Sequence, residues 1–174
     1  MKYKTIYFAG GCFWGVQKFF DQFDGVIETE VGYANGEKHD PSYFDVCHAS
    51  GHAETVKVVY DENAIGLEAL LKYYFMIIDP VSYNRQGADS GIQYRTGIYY
   101  TDEADLPVIE AYYNKLEQEE LKQTGEYFAV ELKPLESFYQ AEEEHQKYLE
   151  KNPRGYCHIF PKYFKLNDSE KAKS

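Results

Sequence analysis

Much that would declare a role outright is missing from this chain. Cysteine is scarce: Cys12, Cys47 and Cys157 are the only three among 174 residues. None of their spacings is that of a zinc pair, and an odd count argues against a secreted disulfide framework. His48 and His52 stand four apart, but with Gly51 between them in a loop rather than on one helix face, so no metal site is expected. Basic charge is in deficit, with 18 Lys and Arg against 29 Asp and Glu and a formal net charge of −11. Such a surface repels a nucleic-acid backbone and argues against that class of partner. The most apolar window, Leu67 to Ile78, is interrupted by Glu68 and Lys72 and is too short to span a bilayer. Met1-Lys2-Tyr3-Lys4 is followed by no apolar stretch of leader length. Internal repeats, linkers and a cofactor-binding motif are missing too, so no bound flavin, nicotinamide or other cofactor is expected. What remains is a single domain, 1–174, expected to be a cytoplasmic monomer with no membrane partner. In a reducing compartment a cysteine is either a small buried apolar residue or an active thiol, and position must decide.

Tyrosine, by contrast, is abundant, with 18 copies, some adjacent as in Tyr73-Tyr74 and Tyr112-Tyr113. That excess fits a core with amphipathic rims, and equally a site into which a few hydroxyls point. Thr5 to Ala9 reads as a strand, and a helix follows from about Trp14 to Phe23 with Val16, Phe19, Phe20 and Phe23 on its apolar face. Val26 to Tyr33 alternates as a strand, Ala34 to Gly51 is a long loop, and Glu54 to Tyr60 is a strand. A helix from about Leu67 to Ile78, a second loop Asp79 to Gln93 and a strand Tyr94 to Tyr100 come next. Thr101 is a plausible cap for a helix that carries Leu106, Ile109, Tyr113 and Leu116 on one stripe and stops near Gly125. Tyr127 to Leu132 is predicted as a strand, and Glu136 to Lys151 as a last helix braced by Glu143 and Lys147. The acidic clusters Glu117, Glu119, Glu120 and Glu142 to Glu144 read as solvated helix faces. The tail after Cys157 shows no regular pattern, and Asn167 to Ser174 is expected to fray. Two long loops and the absence of buried valine runs favour an α+β fold. A two-layer sandwich is expected, a mixed sheet with packed helices and with long loops forming the site.

Gly10-Gly11-Cys12-Phe13-Trp14-Gly15 is the most informative stretch. It joins a strand to a helix, so the Cys12 sulfur should lie near free backbone N–H groups that favour a thiolate. Phe13 and Trp14 would then wall a site, although a buried cysteine beside two core aromatics would look the same. Glu54, at the head of its strand, falls in phase with Val56 and Val58. A carboxyl group there is either turned to solvent or desolvated, and desolvation would keep its proton near neutrality for general acid work. The loops contribute Tyr43, Asp89 and Tyr94, the usual raw material of a pocket. His145 shares a stripe with Phe138, Ala141 and Tyr148 and reads as a hydrogen-bonded core histidine.

Taken together, the motifs resemble one family, the A-type peptide methionine sulfoxide reductases. The resemblance rests on Gly11-Cys12-Phe13-Trp14-Gly15, Val31-Gly32-Tyr33-Ala34, Pro41-Ser42-Tyr43 and Gly51-His52-Ala53-Glu54. It continues through Asn84-Arg85-Gln86-Gly87, Gln93-Tyr94-Arg95, Ala141-Glu142-Glu143-Glu144-His145-Gln146 and Asn152-Pro153-Arg154-Gly155-Tyr156-Cys157. It implies a ferredoxin-like core and a thiol that reduces the S epimer of methionine sulfoxide, free or in oxidised proteins. Cys12 would attack the sulfoxide sulfur, Glu54 would protonate its oxygen, and Tyr43 and Tyr94 would bind that oxygen. Phe13 and Trp14 would hold the methyl group, and Asp89 would orient the polar end of the pocket. Cys157 matches the resolving cysteine, on a mobile segment from about residue 152, and thioredoxin would reduce the Cys12–Cys157 disulfide. No cysteine follows Cys157, so thioredoxin would have to reach that disulfide directly. Cys47 matches no required role and reads as a structural or spectator thiol. Two other readings stay open: a peroxide-reducing thiol enzyme, and a silent binder of oxidised methionine.

Overall fold

The structure is a computed structural model that describes residues 3–37, 41–47 and 50–166. His39, His48 and the tail Asn167 to Ser174 lie outside the described residues. β1 (Tyr3–Gly10) leads through α1 (Phe13–Asp21) to β2 (Val26–Ala34), then α2 (Tyr43–Cys47) and β3 (Ala53–Asp61). After α3 (Leu67–Ile77) come a two-residue pair, β4 (Arg85–Gln86) and β5 (Asp89–Ser90), then β6 (Thr96–Tyr100) and α4 (Leu106–Thr124). β7 (Glu131–Pro134), β8 (Phe138–Gln140) and α5 (Tyr148–Lys151) complete the regular elements among the described residues, apart from short 3-10 turns.

Six strands form one sheet in the order β7-β6-β1-β3-β2-β8, antiparallel except for the β6–β7 pair. The inner strands β6-β1-β3-β2, with α1 and α3 as crossovers, have the βαββαβ arrangement of a ferredoxin-like fold. Ile6, Phe8, Val31, Val56 and Val58 face the helices and pack with Phe19, Phe20, Leu70, Leu71 and Tyr74 in one apolar core. Phe8 is stacked between Phe20 at 5.1 Å and Tyr74 at 4.7 Å. Each such side chain, once buried, stabilises the fold by roughly 1.5–3 kcal/mol. The other sheet face carries a smaller cluster, Tyr7, Ala9, Ala34, Ala53 and Tyr99, covered by Leu135 and Phe138. Among the described residues no helix is long and apolar enough to cross a membrane.

The expected last helix, Glu136 to Lys151, forms only in its final turn, Tyr148–Lys151. Its first part is β8, which pairs Phe138, Tyr139 and Gln140 with Ala34, Tyr33 and Gly32. The pairing needs Gly32, where a Cβ would stand 2.5 Å from the Phe138 ring. Gln146 then imitates a further strand residue: Val31 N donates to its Oε1 at 3.0 Å and its Nε2 donates to Val31 O at 2.9 Å. Lys147 adopts φ 55° and pairs with Asp21 at 2.7 Å rather than with Glu143. Sheet pairing and side-chain bonds to β2 thus outweigh helical periodicity. Smaller departures occur elsewhere. The predicted strand Tyr127 to Leu132 is displaced to Glu131–Pro134, and Tyr94 sits in a 3-10 turn, Ile92–Tyr94, just before β6. The first long loop contains α2, and the tail holds a 3-10 turn, Pro161–Phe164.

Candidate active site

Cys12 stands at the N-cap of α1, where the turn out of β1 uses Gly11 at φ 88°. The first turn of this helix carries no acidic residue of its own, and its backbone N–H groups face the site. One of them, Phe13 N, donates to Glu54 Oε1 at 3.2 Å. Glu54 points from the head of β3 towards the helix layer, as its phase with Val56 and Val58 predicts, and is 1% exposed. Its second oxygen, Oε2, has no hydrogen-bond partner among the described residues. Burial pushes its carboxyl up to about 8, against the pull of the Phe13 N–H and with help from Asp89. The expected thiolate is not the resting form of Cys12. Burial raises the thiol far above its usual range, the neighbouring Glu54 adds to this, and the Trp14 backbone N–H offsets only part. At neutral pH the site therefore holds two protons, one on each group.

Tyr43, at the start of α2, and Tyr94 meet at this carboxyl. Burial and then Glu54 raise both phenols well above their usual range, so both remain donors. Glu142, expected on a solvated face, fixes Tyr43 instead: Tyr43 N donates to Oε2 at 2.9 Å and Tyr33 OH to Oε1 at 2.7 Å. Cys47, read as a spectator, is hydrogen-bonded to the Tyr43 hydroxyl and is also close enough to feel Glu54. Asp89, carried by the β4–β5 pair, accepts a hydrogen bond from Tyr156, and its Oδ2 is buried without a partner.

The apolar side is built on Phe13 and Trp14. Phe13 is buried with its ring centroid 5.8 Å from Tyr33 and 5.6 Å from His145. Trp14 is stacked on Tyr148 at 3.8 Å and donates from Nε1 to His145 Nδ1 at 3.1 Å. His145 is thus hydrogen-bonded and buried as the sequence suggested, but it belongs to the wall of the site. Burial lowers its pKa, and its Nδ1 is occupied as an acceptor.

Cys157 comes up against α1 at Gly15, where a Cβ would stand 2.8 Å from its Sγ. That glycine lies one helical turn beyond Cys12. The thiol is half-buried, and Ile159 N donates to it at 3.4 Å. All three cysteines are free thiols. The structure thus gathers Cys12, Glu54, Tyr43, Tyr94, Phe13, Trp14, Asp89 and Cys157 around the junction of β1 and α1. Sequence reasoning missed Glu142 and Tyr148 as supports, although Glu142 lies within a motif that drew attention and Tyr148 on a stripe that did.

Comparisons with known proteins point the same way. The family model for peptide methionine sulfoxide reductase matches residues 4–173. Peptide methionine sulfoxide reductase MsrA of Lachnoclostridium phytofermentans is 57% identical over 158 residues, covering 90% of this chain and 92% of that protein. The crystal structure of Mxr1 from Saccharomyces cerevisiae in reduced form has a TM-score of 0.82 and 37% identity, over 91% of this chain and 92% of the other. The same yeast protein in complex with Trx2 matches with a TM-score of 0.57 and 28% identity, over 84% and 85% of the two chains. With a thiol, a protonated carboxyl and an aromatic wall at one helix N-terminus, and with relatives this close over nearly its whole length, the chain belongs to the peptide methionine sulfoxide reductase family.

Proposed function

We propose that this oxidoreductase reduces the S epimer of methionine sulfoxide, free or in oxidised proteins, with Cys12 as nucleophile and Glu54 as proton donor. The observation that carries this reading is the Glu54 carboxyl beside the Cys12 thiol, pushed up to about 8 by burial with one oxygen unpartnered. A carboxyl group in that state holds a proton at neutral pH and has an oxygen free to deliver it. The sulfoxide oxygen, as an acceptor, satisfies that proton and the hydroxyls of Tyr43 and Tyr94. Phe13 and Trp14 face the methyl group, and Asp89 orients the polar end of the pocket.

The Cys12 sulfur attacks the sulfoxide sulfur while Glu54 protonates the oxygen and regains a proton from the thiol. The sum is one thiol and one sulfoxide converted to one sulfenic acid and one thioether, a two-electron oxidation of Cys12. Cys157, on the segment from about residue 152, then bonds to the Cys12 sulfur, and the sulfenic hydroxyl leaves as water with the Cys157 proton. The complex of the similar Mxr1 with Trx2 supports a thioredoxin as the dithiol that reduces this disulfide.

The test is reduction of separated S and R epimers with dithiothreitol, with Cys12→Ser as control and hydrogen peroxide as a competing substrate. Turnover of the S epimer alone, lost in the variant, is the expected result. Faster turnover of peroxide than of either epimer would overturn the reading. In Cys157→Ser the first equivalent of methionine should appear while thioredoxin-supported cycling stops, and continued cycling would move the resolving role to Cys47.

A further inference from the structure

The residue after Cys157 has no part in the chemistry proposed so far, yet it is held from three sides. His158 Nε2 lies 3.0 Å from the carbonyl oxygen of Gly10. A carbonyl only accepts, so Nε2 carries the proton and donates. The ring occupies room left by two glycines: a Cβ on Gly11 would meet Nε2 at 3.1 Å, and one on Gly87 would meet the His158 Cβ at 3.3 Å. The other nitrogen, Nδ1, is buried without a partner among the described residues. A buried nitrogen left unpaired is unfavourable, so an apolar ring would serve packing better. Burial lowers the pKa of His158, which keeps the ring neutral with Nε2 as its single donor.

We infer that His158 is a positioning residue for disulfide formation: its bond to Gly10 clamps the Cys157 arm to the turn that carries Cys12. The inference rests on the proposed roles of Cys12 and Cys157. Gly10 precedes Cys12 by two residues and His158 follows Cys157 directly, so one hydrogen bond joins the backbones that hold the two sulfurs. With the clamp closed, Cys157 stays against Gly15 and meets the sulfenic acid as a neighbour. With it open, the arm keeps its anchors at Ile159 and Leu166, but Cys157 is held less closely against Gly15 and the encounter becomes rarer. The covalent step is unchanged: the sulfur–sulfur bond forms, the Cys12 sulfur–oxygen bond breaks, and water leaves. His158 exchanges no proton in it.

Two variants separate the clamp from mere packing. His158→Phe keeps a ring and loses the donor, whereas His158→Gln places an amide Nε2 within reach of Gly10. In single-turnover reactions, both should release the first equivalent of methionine at the rate of the unaltered protein. Disulfide formation should then be about tenfold slower in the Phe variant, the scale of one buried hydrogen bond, and close to normal in the Gln variant. Alkylation of Cys157 by iodoacetamide in the reduced protein should likewise quicken about tenfold in the Phe variant alone. If that variant does not fold, His158→Asn, whose amide falls short of Gly10, takes its place. An unchanged disulfide rate without the donor, equal slowing in both variants, or a slowed first turnover would each overturn the clamp. Absence of methionine from the unaltered protein would instead defeat the proposed function.

Discussion

At the scale of single residues, the proton on Glu54 links activity and stability in opposite senses. The folded chain holds that proton up to about pH 8, whereas an unfolded chain loses it near the ordinary value of 4.5. Between those values the native state binds the extra proton, so stability falls as pH rises and becomes level above about 8. At pH 7 the cost is on the order of 3 kcal/mol. Glu54→Gln, which keeps an acceptor for Phe13 N, should therefore melt higher than the parent at pH 7.5, with the gap closing towards pH 4.5. Thermal denaturation across that range is the measurement, and parallel curves would contradict the raised carboxyl. Activity runs the other way: kcat/KM should decline above about pH 8 as Glu54 ionises, and the Gln variant should lose both the rate and that alkaline limb. Glu142 is a second case, since Glu142→Ala frees the backbone of Tyr43. We expect kcat to fall about tenfold with the nucleophile intact, which thiol titration of Cys12 would verify. Cys12 and Glu54 were readable in the sequence because a glycine-flanked strand end and a two-residue period fix their surroundings locally. Glu142 and His158 were not, because their partners Tyr43 and Gly10 come from distant parts of the chain.

Among the elements, the region of β8 shows where periodicity misleads. Phe138, Ala141, His145 and Tyr148 lie at helical intervals, yet each is covered by a different local structure, Ala141 and His145 buried and the other two half-buried. What decides the outcome is the free edge of β2, whose Val31 amide and carbonyl need partners. Gln146 pairs with both, the carbonyl also accepting from Ala141 N at 2.9 Å, and its Nε2 donates to Ala141 O at 3.0 Å. Gln146→Ala should cost about 3 kcal/mol, since it strips three hydrogen bonds and leaves the Val31 amide without a partner. Urea denaturation measures this, and a loss below about 1 kcal/mol would mean that water replaces the amide. In α1 the corresponding test is Gly15→Ala. Alanine normally favours a helix interior over glycine by about 1 kcal/mol, but here its Cβ meets Cys157 Sγ. We expect no gain in melting temperature and faster alkylation of Cys157. The strands β1, β2 and β3 and the helices α1, α3 and α4 were legible because their apolar stripes face a single core. The pairing of β7 and β8 was not, because a strand of three or four residues leaves too little pattern.

For the molecule as a whole, the segment after Cys157, where the sequence shows no regular pattern, is tied into the body as far as Leu166. Ile159 and Leu166 are buried in the core cluster, Gln22 Nε2 donates to Tyr163 O at 2.6 Å, and Leu166 N donates to Gln22 Oε1 at 3.1 Å. The arm that bears Cys157 is thus anchored beyond the thiol as well as at it. Leu166→Ala should lower global stability by about 2–3 kcal/mol within one cooperative transition. A separate early transition, followed by intrinsic fluorescence of Trp14, would show instead that the tail unfolds alone. The sheet's two outer strands carry a different consequence. β8 has three residues and gives way to the Gln146 side chain, while β7 has four and includes Lys133 and Pro134. Damaged proteins tend to arrive as extended segments, which add readily to any long unpaired strand. Among the described residues there is almost no free ladder to extend, so under the proposed function a visiting chain would engage by its oxidised side chain and depart once that side chain is repaired.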